Sequence, residues 1–198
     1  MINFKIKVLD NVLFDHNELV SYYETIDKKY QHMKWVPSSN IDKKTHAISE
    51  MFSWAIQSNL KDPTKPCPPY HIYDSEEISE SDDCTVPTEL IFGIAERIIK
   101  IFPSVRQLGI AGHPPETRID LHPDNDEFFK IHIPIKTNPN AWFFFEDEKF
   151  NLEEGRVYFI NTSLPHGTCN QGDSNRIHLI FKFPASLAQQ ILTTEYKL

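Results

Sequence analysis

His122, Asp124 and His166 are the residues of this sequence whose types and spacing are hardest to explain by packing alone. His122 and Asp124 lie two positions apart, so in an extended chain their side chains point to the same side and can reach one ion. His166 comes much later, in a Pro-His-Gly segment that is typical of a turn. Two imidazoles and one carboxylate form the facial triad, which holds Fe(II) and leaves coordination positions open. The three residues therefore predict a metal centre at which chemistry can occur.

Arg176 is the fourth residue with a chemical interpretation. It begins an alternating segment that predicts a strand over 176–183. One face of this strand would carry Arg176, His178, Ile180 and Lys182, and the other, apolar face would carry Ile177, Leu179, Phe181 and Phe183. An arginine on the polar face, close in sequence to a predicted metal ligand, is suited to bind a carboxylate through two parallel hydrogen bonds. An ordinary surface ion pair is the alternative.

The segment from Thr117 to Phe183 resembles the aspartyl/asparaginyl beta-hydroxylase and proline hydroxylase family of Fe(II)/2-oxoglutarate-dependent oxygenases. The matching pieces are His122-Pro123-Asp124, the strand Lys130-Ile131-His132-Ile133-Pro134-Ile135, the segment Leu152-Glu153-Glu154-Gly155-Arg156-Val157, His166, and Asn175-Arg176-Ile177-His178-Leu179-Ile180. The animal aspartyl hydroxylases of this family use two histidines and lack the ligand carboxylate. Asp124 therefore makes the chain more similar to the proline hydroxylase branch and to three-ligand bacterial relatives, which leaves the amino acid substrate open.

The resemblance implies a fold that is mainly β with flanking helices, a double-stranded β-helix (jelly roll, cupin-like), with the metal at one end of the barrel. It implies Fe(II), 2-oxoglutarate and O2 as cofactors. It also implies that Arg176 binds the distal carboxylate of 2-oxoglutarate, with His132 and Lys130 near this cosubstrate. The expected reaction is hydroxylation of a C-H bond of an amino acid or amino acid residue, of aspartyl/asparaginyl or prolyl type, with release of succinate and carbon dioxide.

Two other functions are compatible with a metal site in a jelly roll. One is a non-catalytic metal-binding (cupin) module, and the other is a cupin enzyme that needs no cosubstrate. A carboxylate-binding arginine distinguishes them, because a structural metal site has no need of one. The substrate also stays open between free proline or another amino acid, an aspartyl or asparaginyl residue of a protein, and a small peptide.

Two further pairs of residues carry expectations. Arg118 and Asp120 share the predicted face of His122, so they are expected to meet the charges of the substrate, unless they neutralise each other. His132 shares a face with Lys130 in a strand that is otherwise rich in isoleucine. A polar residue there either has a buried partner or lines a cavity.

Composition limits the classes of partner. The 198 residues are expected to form a single domain. The net charge is -8 and no Lys/Arg cluster is interleaved with aromatic residues, so a nucleic acid partner is not expected. No segment has the length of a membrane span or the features of a secretion signal, and the three cysteines form no C-x-x-C pair. We expect a soluble, cytoplasmic protein with reduced thiols and a small amino acid, peptide or protein as substrate; the oligomeric state stays open.

Periodicity predicts the elements that must position the site. Residues 1–104 are expected to supply an N-terminal strand at 1–9 and supporting helices at 15–29, 42–59 and from Pro87 to Pro103. An acidic loop is expected at 61–85, either as a solvated excursion or as a lid. The jelly-roll core is expected at 105–183, and a helix opened by proline at 184–192 within the C-terminal segment 184–198. The predicted core strands are 105–111, 116–122, 128–136, 141–146, 155–161 and 176–183.

Overall fold

The structure is a computed structural model that describes residues 4–31, 51–58, 84–124 and 126–197. The strands in chain order are β1 Ile6–Val8, β2 Val12–Leu13, β3 Phe52–Ala55, β4 Gln57–Ser58, β5 Val86–Pro87, β6 Arg106–His113, β7 Thr117–His122, β8 Phe128–Lys136, β9 Ala141–Phe145, β10 Lys149–Phe150, β11 Tyr158–Ile160, β12 His166–Asn170, β13 Arg176–Pro184 and β14 Tyr196–Lys197. The helices are α1 His16–Lys29, α2 Ile94–Ile101 and α3 Ala188–Thr193, with a 3-10 turn at Ala185–Leu187 before α3.

Two antiparallel sheets form a barrel. The larger sheet has the order β1-β11-β8-β13-β6-β3, and the smaller has the order β10-β9-β12-β7. From β6 to β9 the chain alternates between the larger and the smaller sheet at each step, and it does so again from β11 to β13. Side chains of the two sheets meet in the interior, where the ring centroids of His132 and Phe143 are 5.6 Å apart. The predicted double-stranded β-helix is confirmed.

The outer face of the larger sheet is the main hydrophobic core. Strand alternation points Ile131, Ile133 and Leu179 to this face, where they are fully buried. Helices α1 and α2 cover it with buried residues that include Leu19, Ile26, Ile94 and Ile98. Burying each such side chain stabilises the fold by about 1.5–3 kcal/mol relative to exposure. The helices therefore fix the larger sheet from outside and leave its inner face for the site.

Helix α1 is confirmed, whereas helix α2 starts later than predicted. Asp15 caps α1, because its carboxylate accepts from the backbone N-H groups of Asn17 and Glu18. Helix α2 begins at Ile94 rather than shortly after Pro87. The intervening residues are held elsewhere, since the Thr88 hydroxyl and backbone N-H both donate to carbonyls of the β3–β4 segment.

The helix predicted at 42–59 is wrong over the part that the structure describes. Phe52–Ala55 is strand β3, which pairs antiparallel with β6 at the edge of the larger sheet. Phe52 and Trp54 are both buried and lie two residues apart, as a strand requires. Pairing with β6 has overridden the local helical pattern. The predicted segment 42–50 and most of the acidic loop at 61–85 lie outside the described residues.

The turn predicted around His166 is also wrong. His166–Asn170 is strand β12, which pairs with β9 on one side and β7 on the other. Gly167 is there because β9 packs closely: a Cβ atom at this position would meet the Phe144 ring at 2.5 Å. The C-terminal helix is confirmed by the 3-10 turn and α3. Within the described ranges, no helix has the length and apolarity that a membrane crossing requires.

Candidate metal centre

Strand pairing brings the three predicted ligands together at one end of the smaller sheet. His122 ends β7 and lies directly opposite His166, the first residue of β12. The Asp124 backbone N-H donates to the Thr162 carbonyl at 2.8 Å, which holds the chain beyond β7 against the segment that leads into β12. The Asp124 carboxylate oxygens lie 3.9 Å from His122 Nε2 and 3.7 Å from His166 Nε2. One potential ligand atom from each residue lies within 4.8 Å of the other two.

Hydrogen bonds fix the tautomers of both histidines. His122 Nδ1 lies 2.8 Å from the Asp120 carbonyl, and His166 Nδ1 lies 2.9 Å from the Leu164 carbonyl. A carbonyl only accepts, so each Nδ1 carries the proton and each Nε2 keeps its lone pair. Burial, together with the nearby charge of Lys130, lowers the pKa of His166 to about 4. His166 is therefore a neutral imidazole at neutral pH, which is the form that binds metals.

The carboxylate of the triad is charged. Burial alone would raise the pKa of Asp124, but the Lys130 ammonium, 2.7 Å from Oδ2, holds the pKa below its usual value. The arrangement thus offers two bare imidazole nitrogens and one carboxylate anion around a single point. This donor set fits a divalent first-row metal such as Fe(II) with positions left open.

Phe143 forms the wall behind the triad. Its ring stacks on His166 with centroids 5.3 Å apart and planes only 4° from parallel. The same ring also contacts His132, on the opposite sheet, with the two ring planes 81° apart. Phe143 therefore restricts rotation of the His166 ring and links the triad to the polar residues deeper in the barrel.

Arg176 lies in the barrel interior and is 3% exposed. Its Nη2 donates to His178 Nδ1 at 3.1 Å. Across the described part of the chain, no carboxylate lies within ion-pair distance of this guanidinium. Burial lowers its pKa to about 10, which leaves it charged at neutral pH. A buried cation that has only a neutral acceptor is costly, so the interior is built to receive an anion.

Two buried histidines adjoin Arg176. Because His178 Nδ1 accepts from Arg176, His132 Nδ1, 3.3 Å away, is the donor in the contact between the two rings. Burial, and then the charge of Arg176, lower the pKa of both rings well below the usual range, so both are neutral. Their Nε2 atoms are buried and have no hydrogen-bond partner among the described residues. His178 therefore presents an unsatisfied N-H, and His132 an unsatisfied lone pair.

His113 is a part of this cluster that the sequence did not place. It ends β6 directly opposite Arg176, and its Nδ1 lies 3.4 Å from the Thr168 hydroxyl of the smaller sheet. The surrounding Gly-His-Pro-Pro pattern indicates a turn, which hides the strand ending there. The alternation of Ile110, Gly112 and their neighbours, continued by one residue, would have predicted that the strand extends to His113.

A cavity of roughly 170 Å³ lies on the inner face of the larger sheet, over Gly109, Ala111 and Ile180. Cross-strand register aligns Ala111 with His178 and Gly109 with Ile180, so small residues leave room along this face. The lining also includes Lys130, which contacts Asp124 as well. Lys130 therefore connects the cavity to the triad.

Arg118 and Asp120 do not share the face of His122, contrary to the prediction. The pairs His166–His122 and Thr168–Ile119 span two residues on β12 but three on β7, so β7 contains a bulge. Thr168 points into the barrel toward His113, and Ile119 therefore takes the inner face while Arg118 takes the outer one.

On the outer face, Arg118 and Asp120 form an ion pair. Arg118 Nε donates to Asp120 Oδ1 at 2.6 Å, and both side chains are about half exposed. The guanidinium also lies over the Phe144 ring, 4.9 Å from its centroid. The two charges neutralise each other here. A role in substrate binding stays a prediction, which this placement does not favour.

Comparisons with known proteins concern the family and the fold of the chain. Residues 72–185 match the family described as aspartyl/asparaginyl beta-hydroxylase. The matched range includes all three triad residues and Arg176. Among solved structures, a Pseudomonas putida prolyl-4-hydroxylase is similar with a TM-score of 0.52 and 11% identity, over 90% of each chain. An oxidoreductase of the 2OG-Fe(II) oxygenase family from Burkholderia pseudomallei is similar with a TM-score of 0.51 and 11% identity, over 87% of this chain and 94% of that one. At such identity the two structures support the fold. No curated protein matches the sequence.

Proposed function

The chain belongs to the aspartyl/asparaginyl beta-hydroxylase family, as its resemblance indicated, and from this premise we propose that it is an Fe(II)- and 2-oxoglutarate-dependent dioxygenase. Its reaction would be hydroxylation of a C-H bond of an amino acid or amino acid residue, of aspartyl/asparaginyl or prolyl type. Iron and 2-oxoglutarate, when bound, supply activation of O2 and oxidative decarboxylation, so that one oxygen atom enters the substrate while succinate and carbon dioxide are released.

The observation that carries the proposal is the buried guanidinium of Arg176, which has no carboxylate partner among the described residues and lies in the same interior as the triad. Contacts run from Arg176 to His178, from His178 to His132, from His132 to Phe143, and from Phe143 to His166. A ligand that carries a carboxylate at one end and metal-binding oxygens at the other would satisfy both ends of this interior. 2-Oxoglutarate has these groups.

Each residue then has a defined task. His122, Asp124 and His166 would hold the iron through Nε2, a carboxylate oxygen and Nε2. Arg176 would bind the 5-carboxylate of 2-oxoglutarate, and the unsatisfied Nε2-H of His178 is positioned to donate to an oxygen of the same ligand.

The remaining inner side chains exclude water and orient the ligand. His132 presents a lone pair rather than a proton at Nε2, so it would accept from an ordered water or from the substrate rather than donate to a carboxylate. Phe143 covers one face of His166 and keeps its ring in place. Lys130 is expected near the cosubstrate, as the family resemblance implies.

The same observation weighs against the two other functions considered. A structural metal site is saturated by protein ligands and needs no buried cation nearby. A cupin enzyme without a cosubstrate likewise gives no reason for a guanidinium without a carboxylate at the inner end of the barrel. The open positions of the triad and Arg176 together favour turnover with a dicarboxylate cosubstrate.

The test is succinate formation by the purified protein supplied with Fe(II), 2-oxoglutarate and a panel of amino acids and peptides. Succinate should depend on both additions, and the true substrate should gain the mass of one oxygen atom. His166→Ala should abolish the activity, whereas the matched control His16→Ala, which removes a histidine that bonds the Ile135 carbonyl on the outer side of the sheet, should retain it. Iron-independent succinate, or full activity of His166→Ala, would refute the proposal.

A further inference from the structure

We propose that Lys130 is a built-in competitor of the metal ion: its ammonium neutralises Asp124 in the metal-free protein and leaves for the neighbouring cavity when a metal binds. This inference rests on the proposed iron site, because it assigns to Asp124 two alternative cations. It concerns how the centre is loaded, and the reaction itself does not depend on it.

The contact geometry places the ammonium among the ligand atoms. Lys130 Nζ lies 2.7 Å from Asp124 Oδ2, the same oxygen that lies 3.7 Å from His166 Nε2. The side chains of Lys130 and Asp124 are only 24% and 22% exposed. The pair is therefore largely shielded from solvent, where charge interactions are stronger than on the surface.

Electrostatics makes the two cations alternatives. In the metal-free protein, a largely buried carboxylate beside two imidazoles requires a positive charge, and Lys130 supplies it. A divalent ion bound by the triad would take over this neutralisation. An ammonium at the same carboxylate oxygen would then face a double positive charge at short range, which is strongly repulsive.

The cavity next to Lys130 has space for the displaced ammonium group. Its side chain lines the cavity on the inner face of the larger sheet, where Gly109 and Ala111 leave space. A lysine has a flexible four-carbon stem, so the ammonium can move by several ångströms without any backbone change. The metal-loaded protein would thus present a cation in the cavity that the metal-free protein keeps at Asp124.

The decisive measurement is Mn(II) binding by calorimetry, without cosubstrate, to the wild type and to Lys130→Met. Methionine keeps the length of the side chain and removes the charge. The Kd for Mn(II) should fall about tenfold or more, because the metal no longer displaces a cation. The melting temperature of metal-free Lys130→Met should be lower than that of the wild type, since Asp124 loses its partner, and saturating Mn(II) should raise it by more than in the wild type.

Two variants control for other effects. Lys136→Met removes a lysine of the same strand, which pairs with Glu24 at 3.3 Å and does not line this cavity, and it should bind Mn(II) as the wild type does. Lys130→Arg keeps a cation and should keep the weaker wild-type affinity. If Lys130→Met binds Mn(II) no more tightly than Lys136→Met, the inference is overturned.

The proposed function can fail separately. Loss of Mn(II) binding in His166→Ala shows that the triad is the site; if the wild type binds no Mn(II), both proposals fall. Should Lys130→Met not fold, the wild type labelled with nitrogen isotope in lysine decides by NMR. Zn(II) should change the Lys130 ammonium signal together with the His166 ring signals, and a Lys130 signal that stays constant while His166 shifts overturns the inference.

Discussion

Replacing Arg176 by methionine should separate function from stability, because the two quantities are expected to change in opposite directions. A charge-assisted contact to a carboxylate is worth about 1.5–3 kcal/mol. At about 1.4 kcal/mol for each factor of ten, its loss should raise the KM for 2-oxoglutarate about 10- to 150-fold.

The free energy of unfolding of Arg176→Met should not fall together with the affinity for 2-oxoglutarate. The guanidinium is 3% exposed and has a neutral imidazole as its acceptor, so its removal relieves a desolvation cost and loses one hydrogen bond to His178. Apolar replacement of buried charges is often neutral or stabilising, whereas the lost hydrogen bond costs about 1 kcal/mol. We expect the free energy of unfolding to be unchanged or to rise by up to about 2 kcal/mol.

The assay is the 2-oxoglutarate dependence of succinate release, combined with urea unfolding of the same preparations. Arg156→Met is the matched control, because this half-exposed arginine pairs with Asp10 and Glu153 at 3.4 and 3.5 Å on the surface. It should change the KM little and the stability by less than about 1 kcal/mol. An unchanged KM in Arg176→Met would refute the carboxylate-binding role, and a stability loss of about 3 kcal/mol or more would show that Arg176 has a buried counter-ion after all.

Three further predictions follow from individual contacts. Asp124→Ala should keep the fold by circular dichroism and lose iron-dependent succinate formation, and wild-type turnover would exclude Asp124 as a ligand. The pKa values of His113, His132 and His178 are lowered by burial, so the unfolded chain binds more protons below about pH 6.5; stability measured by urea should be constant above that pH and fall below it by about 1.4 kcal/mol per pH unit for each histidine, and a flat profile from pH 7 to 5 would contradict the burial of neutral rings. Asp15→Ala removes the acceptor of two N-H groups at the start of α1 and should lower the free energy of unfolding by about 1 kcal/mol, with no change in KM.

Much of the fold followed from local pattern. The core strands alternate with period two, and the polar and apolar faces of β13 were assigned correctly because Ile177, Leu179 and Phe181 form one continuous apolar face. Two secondary-structure predictions were wrong because each segment pairs with strands that are distant in the sequence. Phe52–Ala55 has a helical pattern but pairs with β6 as a strand. His166 is flanked by residues typical of turns, but it lies in a strand that pairs with β9 on one side and β7 on the other.

The site was predictable where chemistry restricts the residue type. His122, Asp124 and His166 stood out because histidine and aspartate at strand ends have few structural reasons to be there, and the structure brings their ligand atoms together. Arg118 was misplaced because a bulge adds one residue to β7, and a single added residue exchanges the faces of every residue beyond it. The bulge cannot be predicted from Arg118 or its neighbours in sequence, because it is defined by the pairing of β7 with β12.

The aromatic run of β9 has a consequence for how the centre is aligned. Trp142, Phe143, Phe144 and Phe145 are consecutive, so sliding β9 by one position would still turn bulky rings inward, and apolar burial alone selects no single alignment. Gly167 has a separate role, because without a Cβ atom it leaves room for the Phe144 ring directly across from it. A Cβ atom at Gly167 would push Phe144 away from β12 and would disturb its neighbour Phe143, which stacks flat on the His166 imidazole.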